Sequence, residues 1–395
     1  MSEGGAGRWW VLVLIVAISI VAIGAAWNYP VMVVNDLLRD LALQTADWGW
    51  LWGAISLGLT LLSLPAGALG DRIGARSALA AGLLVLAASL GCRTLAGSFG
   101  SMLATMVGAG AGLALVLANM PKALADVFPA QQLGLANGFS QAGVGLGVAC
   151  TFWGVPRILA EGSDWREISG ALAVALAVLA LVWWTTTRDV RPAPTGVQSA
   201  LLASLVDVAR VRDVRWIALC YGLYLGGYLG AIGYLPLHLE TVRGMERGQV
   251  GSALLIGPLA FLVGSLLLPA LSDRIGRRRP IYLIGMAVAG VALVGAALSV
   301  DLVSLAASMF TLGFSTATVS LLFVIPVELG EVGPARAGSA IGLATTVGFL
   351  GGLVLTWIGV QLAEHGAVFG FGLWAASLVA SALLILRVRE TGRAV

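Results

Sequence analysis

Long apolar runs alternate with short polar breaks along the whole chain. They predict helices over 9–38, 48–69, 77–95, 101–118, 133–155 and 168–186, and six more over 216–237, 250–271, 281–300, 302–325, 337–362 and 367–386. A helix rises about 1.5 Å per residue, so about 20 mostly apolar residues cross a hydrocarbon layer of about 30 Å. Each run is of that order. The first, after Arg8, ends in small residues and imitates a signal peptide, but eleven further runs favour a retained helix. The expected fold is therefore an all-α membrane protein with twelve transmembrane helices. The segment 188–215, with Pro192, Pro194 and Gly196, holds most of the longest polar stretch. It divides the chain into a six-helix bundle at 1–187, a cytoplasmic linker at 188–212 and a second six-helix bundle at 213–395.

Composition sharpens this reading. Of 395 residues, 59% are hydrophobic and 11% charged, against about 25% charged in soluble proteins. Twelve spans leave no room for a soluble enzyme domain, and neither HExxH nor GxSxG occurs. The net charge of +3 comes without a basic and aromatic run, so nucleic acid is not an expected partner. Cys92, Cys150 and Cys220 lie far apart with no CxxC, so no disulfide framework, metal site or cofactor is expected. With the amino terminus inside, seventeen of the 23 basic residues fall on internal segments and six on external ones, whereas the 20 acidic residues divide evenly. Positive residues stay on the cytoplasmic side, which predicts cytoplasmic termini in a bacterial-type inner membrane.

The two bundles repeat one another. Ala68-Leu69-Gly70-Asp71-Arg72-Ile73-Gly74 returns as Ala270-Leu271-Ser272-Asp273-Arg274-Ile275-Gly276, each time after the second helix of its bundle. Pro121-x-x-Leu124-x-Asp126-x-x-Pro129 returns as Pro326-x-x-Leu329-x-Glu331-x-x-Pro334, and Gly134-x-x-x-Gly138 as Gly338-x-x-x-Gly342. Nearly constant offsets imply two parallel six-helix units, an arrangement found among secondary transporters.

On these residues the chain resembles the major facilitator superfamily. That family's hallmark, Gly-x-x-x-Asp-Arg/Lys-x-Gly-Arg/Lys-Arg/Lys, is met by Gly67, Asp71, Arg72, Gly74 and Arg76, with Ala75 in place of one basic residue. The second copy is Asp273, Arg274, Gly276, Arg277 and Arg278, with Pro269 in place of the first glycine. The resemblance implies that Asp71, Arg72, Arg76, Asp273, Arg274 and Arg277 serve as gating charges, joining the halves when the cytoplasmic side is closed. The plainer alternative is that the arginines only enforce topology.

The resemblance also implies a central cavity lined by helices one, four, seven and ten. Polar residues inside a membrane are costly unless they face such a cavity or another helix. Tyr221, Tyr224 and Tyr228, at i, i+3 and i+7, share one face of helix seven. They offer flat rings and hydroxyls to a small solute, or pack against neighbouring glycines. Asn28, beside Pro30, interrupts helix one and is read as part of a kinked, cavity-facing segment. Thr311, Ser315 and Thr318 line helix ten, where hydroxyls commonly bond back to their own helix. Gln141 shares a face with Asn137 and corresponds to Thr345 in the second bundle; both are candidates for solute contact or for a seam between helices. Lys122 reads as a snorkelling surface residue, and Arg93 as at most an external guide charge.

No Asp, Glu or His falls in the middle of a predicted helix, so no proton carrier is evident. The arginine that many proton-coupled relatives place four positions before the fourth-helix glycine is Ala104 here, and the helix-five Gly-Pro pair of drug antiporters is missing. The stretch from Pro121 to the glycine-rich fifth helix looks similar to cyanate and nitrate/nitrite porters. The helix-two and helix-eight arginines of nitrate porters are absent, which argues against nitrate. The expectation is a secondary transporter of a small polar or anionic organic solute, with or without a coupling ion, working as a monomer in the lipid bilayer. Multidrug and proton antiport, and a sensor of transporter fold, are the alternatives.

Overall fold

Residues 4–188 and 206–392 are described by the computed structural model, and most of the expected 188–212 linker lies outside them. Among the described residues all regular structure is helical. The spans are α1 (Gly7–Met32), α3 (Ala75–Arg93), α4 (Phe99–Ala125), α5 (Gln131–Ala160), α6 (Trp165–Thr186), α7 (Arg212–Thr241), α8 (Arg247–Ile275), α9 (Arg279–Leu298), α10 (Leu302–Glu328), α11 (Arg336–Glu364) and α12 (Ala367–Arg387). The second span, α2, has two pieces, Thr45–Ser63 and Pro65–Ile73, that meet at 50°. Taken together they make the twelfth helix long and apolar enough to cross a bilayer.

Several helices overrun the apolar runs that predict them. α4 continues past the expected end at Ala118 to Ala125, and α2 carries Asp71 and Arg72 in its last turn. A helix needs backbone hydrogen bonds and satisfied ends, not apolar side chains, so polar residues extend it wherever caps are available. Ser98 caps α4 by accepting from the Ser101 amide at 3.3 Å. Asp164 and Glu167 form a capping box at α6, and Asp301 accepts from the Ser304 amide at 2.8 Å ahead of α10.

Two helices are irregular inside. In α1 the stretch Ser19–Ala26 is π-helical, and helical geometry resumes at Trp27–Met32, breaks at Val33 and returns at Val34–Asp40. The Asn28 amide donates to the carbonyls of Ile23 and Gly24, both at 3.0 Å. It thereby satisfies groups that the irregular turn would leave bare. In α10 a 3₁₀ turn at Ala317–Ser320 interrupts the span.

The chain forms two compact units. Unit 1 comprises Met1–Leu43 and Ala54–Thr195; unit 2 comprises Gln44–Gly53 and Gly196–Val395. The first turns of α2 thus group with unit 2, whereas the sequence division puts them in the first bundle. Tryptophans fix them there: Trp48 Nε1 donates to the Gly233 carbonyl at 2.8 Å and Trp52 Nε1 to that of Leu229 at 2.9 Å. Close helix contacts rest on glycine. A Cβ on Gly24 would lie 2.4 Å from Gly147 Cα inside unit 1, and one on Gly351 would lie 2.1 Å from the Gly222 carbonyl oxygen inside unit 2. The repeated glycines 134, 138, 338 and 342 do not act this way, since a Cβ on any of them meets open space.

Candidate solute-binding site

In unit 2 the three tyrosines of α7 form a continuous stack. Ring centroids are 5.8 Å apart from Tyr221 to Tyr224 and 5.9 Å from Tyr224 to Tyr228, the latter pair nearly parallel at 23°. Phe323 of α10 extends the row, its ring 5.1 Å from Tyr221. Gly348 of α11 makes space for it, because a Cβ there would lie 2.3 Å from the Tyr221 ring. Among the described residues none of the three hydroxyls has a hydrogen-bond partner, yet none of the oxygens is sealed away. By contrast Tyr282, on α9, is fully buried and shares a hydrogen bond with Ser381 at 2.6 Å. The α7 stack therefore presents flat apolar faces with three uncommitted hydroxyls, a surface suited to a small planar or polar solute.

The other candidate contacts are more committed. Asn28 spends its amide donors on the backbone of α1. Thr311 donates to Ala307 O at 2.9 Å and Thr345 to Ile341 O at 2.8 Å, each within its own helix. Ser315 is buried, and neighbouring Thr318 donates to Ser315 O at 2.8 Å. Gln141 is exposed, while Asn137 on the same face bonds Leu133 O at 2.9 Å. Only the α7 tyrosines, brought together with Phe323, form a cluster.

The duplicated Asp-Arg motifs lie on two tight hairpins. Between α2 and α3 the turn is the single residue Gly74, at φ 88° and ψ 147°. Between α8 and α9, Gly276 takes the left-handed conformation at φ 70° and ψ 20°. Both are positions where a side chain would be strained. In unit 1, Asp71 pairs with Lys122, whose ammonium also donates to Gly67 O at 2.7 Å. Lys122 is thus tied to the hairpin, not merely snorkelling. Arg76 turns to α6, its guanidinium 4.1 Å over the Trp184 ring and bonded to the Trp184 carbonyl. Arg72 is exposed.

In unit 2 the organising cation is Arg278, which the resemblance did not place among the gating residues. It pairs with Asp273 and, at 2.7 Å, with Glu328, and reaches Ser272 Oγ at 3.2 Å. These bonds, Glu328's foremost, hold its guanidinium above the ordinary arginine pKa. Arg274 and Arg277 are exposed. The Glu390 carboxylate accepts from the Arg278 amide at 2.7 Å, at the start of α9. Arg389 bridges buried Asp213 to Glu331. Ser272, Asp273, Gly276, Arg278, Glu328 and Gly392 line a cavity of about 340 Å³ whose carboxylates are already spent on Arg278. Arg93 is no external guide charge: it is fully buried at the end of α3.

Lys122 could have been found from sequence by asking which opposite charge Asp71 meets, since it stands just after Pro121; the proline echo in the second half supplies instead an anion, Glu328, two positions after Pro326, as a partner for Arg278.

Comparison with known proteins agrees with this architecture. The profile described as Major Facilitator Superfamily matches residues 14–356. A nitrite extrusion protein of Bacillus subtilis is 24% identical over 382 residues, covering 94% of this chain and 91% of that protein. A probable sulfoacetate transporter of Cupriavidus necator is 25% identical over 378 residues, covering 86% of this chain and 82% of that protein. A crystal structure of a bacterial homologue of the human lysosomal transporter Spinster shares the fold. It superposes with a TM-score of 0.75 at 16% identity, over 97% of this chain and 95% of that one.

Proposed function

Because the chain belongs to the Major Facilitator Superfamily, we propose that this integral multi-pass membrane protein is a secondary transporter of a small organic anion, working by alternating access of its two six-helix halves. The observation that carries a solute site is the α7 stack, whose three hydroxyls have no protein partner among the described residues. The nitrite and sulfoacetate relatives supply the anionic class. The 17-to-6 split of basic residues supports cytoplasmic termini in an inner membrane and, with them, the Asp71 and Asp273 hairpins as candidate cytoplasmic gates.

Purified protein in liposomes, offered a panel of small carboxylates, sulfonates and nitrite with and without a pH gradient, tests the reading. Accumulation of at least one anion above empty liposomes is the expected result. The gradient arm reads the coupling ion. Binding without movement would refute transport and favour a sensor.

A further inference from the structure

Arg93, the last residue of α3, is fully buried within unit 1. Arginine guanidinium groups are cations with five N–H donors and no acceptor. The hydrogen-bond partners of Arg93 among the described residues are Tyr29 Oη at 3.0 Å, Thr105 Oγ1 at 3.4 Å and the Thr105 carbonyl at 3.4 Å, and the Tyr29 ring lies 5.6 Å from the guanidinium carbon. All are neutral, and two of the three bonds are long. The same chain shows what a matched buried arginine looks like. Arg278, itself only 9% exposed, is held by two carboxylates. A buried cation without an opposite charge is costly, so Arg93 is a positive charge whose counter-charge the described chain does not provide.

The surroundings suit an oxoanion. Tyr29 Oη accepts from Arg93 and keeps its own proton free to donate, whereas the Thr105 hydroxyl is spent on the Met102 carbonyl at 2.8 Å. Two arginine nitrogens aimed at weak or replaceable partners are the fork that binds a carboxylate, sulfonate or nitrite in bidentate fashion. The cover is also a piece that can move. Tyr29 sits on the six-residue segment Trp27–Met32, which contains Pro30 and is bounded by the π-helical Ser19–Ala26 on one side and the Val33 break on the other. Such a segment can tilt without disrupting an unbroken hydrogen-bond ladder. Thr105 lies six residues into α4, about 9 Å along its axis; the cluster is therefore a turn or two from the start of that helix.

We propose that Arg93 is an anion-binding residue of the transport path, plugged by Tyr29 in this state and taken over by the solute's anionic group when the Trp27–Met32 segment swings aside. This rests on the reading that the solute is an anion. It assigns specificity to a residue on α3, outside the helices that the family resemblance implies as cavity lining.

The test uses full-length protein and nitrite, sulfoacetate, acetate and phosphate as probes, with chloride matched for ionic strength. Dissociation constants are read by thermal shift and by fluorescence, and KM by uptake into liposomes. Arg93→Lys, which keeps the charge but not the fork, is expected to weaken anion binding at least tenfold. Tyr29→Phe removes the competing phenol and is expected to tighten binding about two- to tenfold, the equivalent of one neutral hydrogen bond. If both variants lower the melting temperature but leave dissociation constants and KM within twofold of the parent, Arg93 is only a staple between helix ends. The proposal then falls while the anion reading stands. If the parent protein binds and moves none of the four anions, the anion reading falls and takes this inference with it.

Discussion

Replacing Glu328 by glutamine should destabilise the protein more than replacing Asp71 by asparagine, although both residues pair with a cation at corresponding hairpins. The difference follows from burial. The Arg278 side chain is 11% exposed and that of Glu328 27%, and two bonds join them, at 2.7 and 3.4 Å. Removing one partner of a well-buried pair costs about 3–5 kcal/mol, and a hydrogen bond to a charged group is worth about 1.5–3 kcal/mol. Partial exposure and the remaining Asp273 contact place Glu328→Gln near 2 kcal/mol. Lys122 and Asp71 are 36% and 42% exposed, and solvent screening reduces such a pair to about 0.5–1 kcal/mol. For a unit of about 200 residues, 1 kcal/mol shifts the melting temperature by about 2–4 °C. Glu328→Gln should therefore lower it by about 4–8 °C and Asp71→Asn by about 2 °C. The assay is intrinsic tryptophan fluorescence of purified protein in one detergent at one scan rate, since unfolding of such proteins is commonly irreversible. Neutralising both partners, as Arg278→Gln with Glu328→Gln, should cost less than the sum of the two single changes, because the two more buried charges go together and only the solvent-exposed Asp273 is left without its partner. Equal shifts for Glu328→Gln and Asp71→Asn, or strict additivity in the double variant, would refute the reasoning.

Three further outcomes are expected. Tyr228→Phe or Tyr224→Phe should raise the KM for the transported anion about twofold to tenfold, as loss of one hydrogen bond does, without lowering the melting temperature; an unchanged KM would remove α7 from the solute site. Gly351→Ala puts a Cβ 2.1 Å from the Gly222 carbonyl oxygen and should cost about 1–3 kcal/mol by overpacking. Gly338→Ala, facing open space, should leave the elution profile of the purified protein unaltered, and a comparable loss in both variants would contradict the packing argument. The Asp40 carboxylate accepts from Trp165 Nε1 at 3.0 Å and from Arg166 at 2.9 Å, and the Trp165 bond above all lowers its pKa. A lowered folded-state pKa gives stability that is present above the unfolded value of about 3.9 and lost as pH falls through the folded value. The melting gap between the parent and Asp40→Asn should thus persist at pH 6 and close below pH 4, and a gap that widens on acidification would reverse the sign.

The spans were legible because twenty apolar residues in a row leave the backbone one way to satisfy itself in lipid. The hairpins were legible because Gly74 and Gly276 repeat with their charged neighbours. Two things were hidden. Helix ends were, since α4 runs on to Ala125 through Lys122 on the strength of backbone geometry, which hydropathy does not record. Side-chain commitment was hidden too. Thr311 and Thr345 have the composition of solute ligands, yet they bond their own helices, and the sequence cannot distinguish a hydroxyl that is spent from one that is open. Tyr221, Tyr224 and Tyr228 were recoverable because a seven-residue spacing dictates a shared face whatever surrounds it. Arg93 was misread because its place at the end of an apolar run looks like an interfacial charge, and only the packing of Tyr29 and Thr105 around it shows the burial.

The two units keep one tie and reverse its polarity. In unit 1 the second helix ends in the anion, Asp71, and the fourth supplies the cation, Lys122; in unit 2 the tenth helix supplies the anion, Glu328, and the cation, Arg278, stands at the start of the ninth. A charge carried across at the corresponding position would meet its like, so neither hairpin could exchange partners with the other without repulsion. What the repeat preserves is a neutralised contact between a hairpin and the helix that follows it, with the sign free to vary. The family motif on its own therefore identifies the hairpins but not their ion pairs. In unit 2 these are concentrated on Arg278, the one basic residue of that motif copy buried enough for its ion pairs to matter.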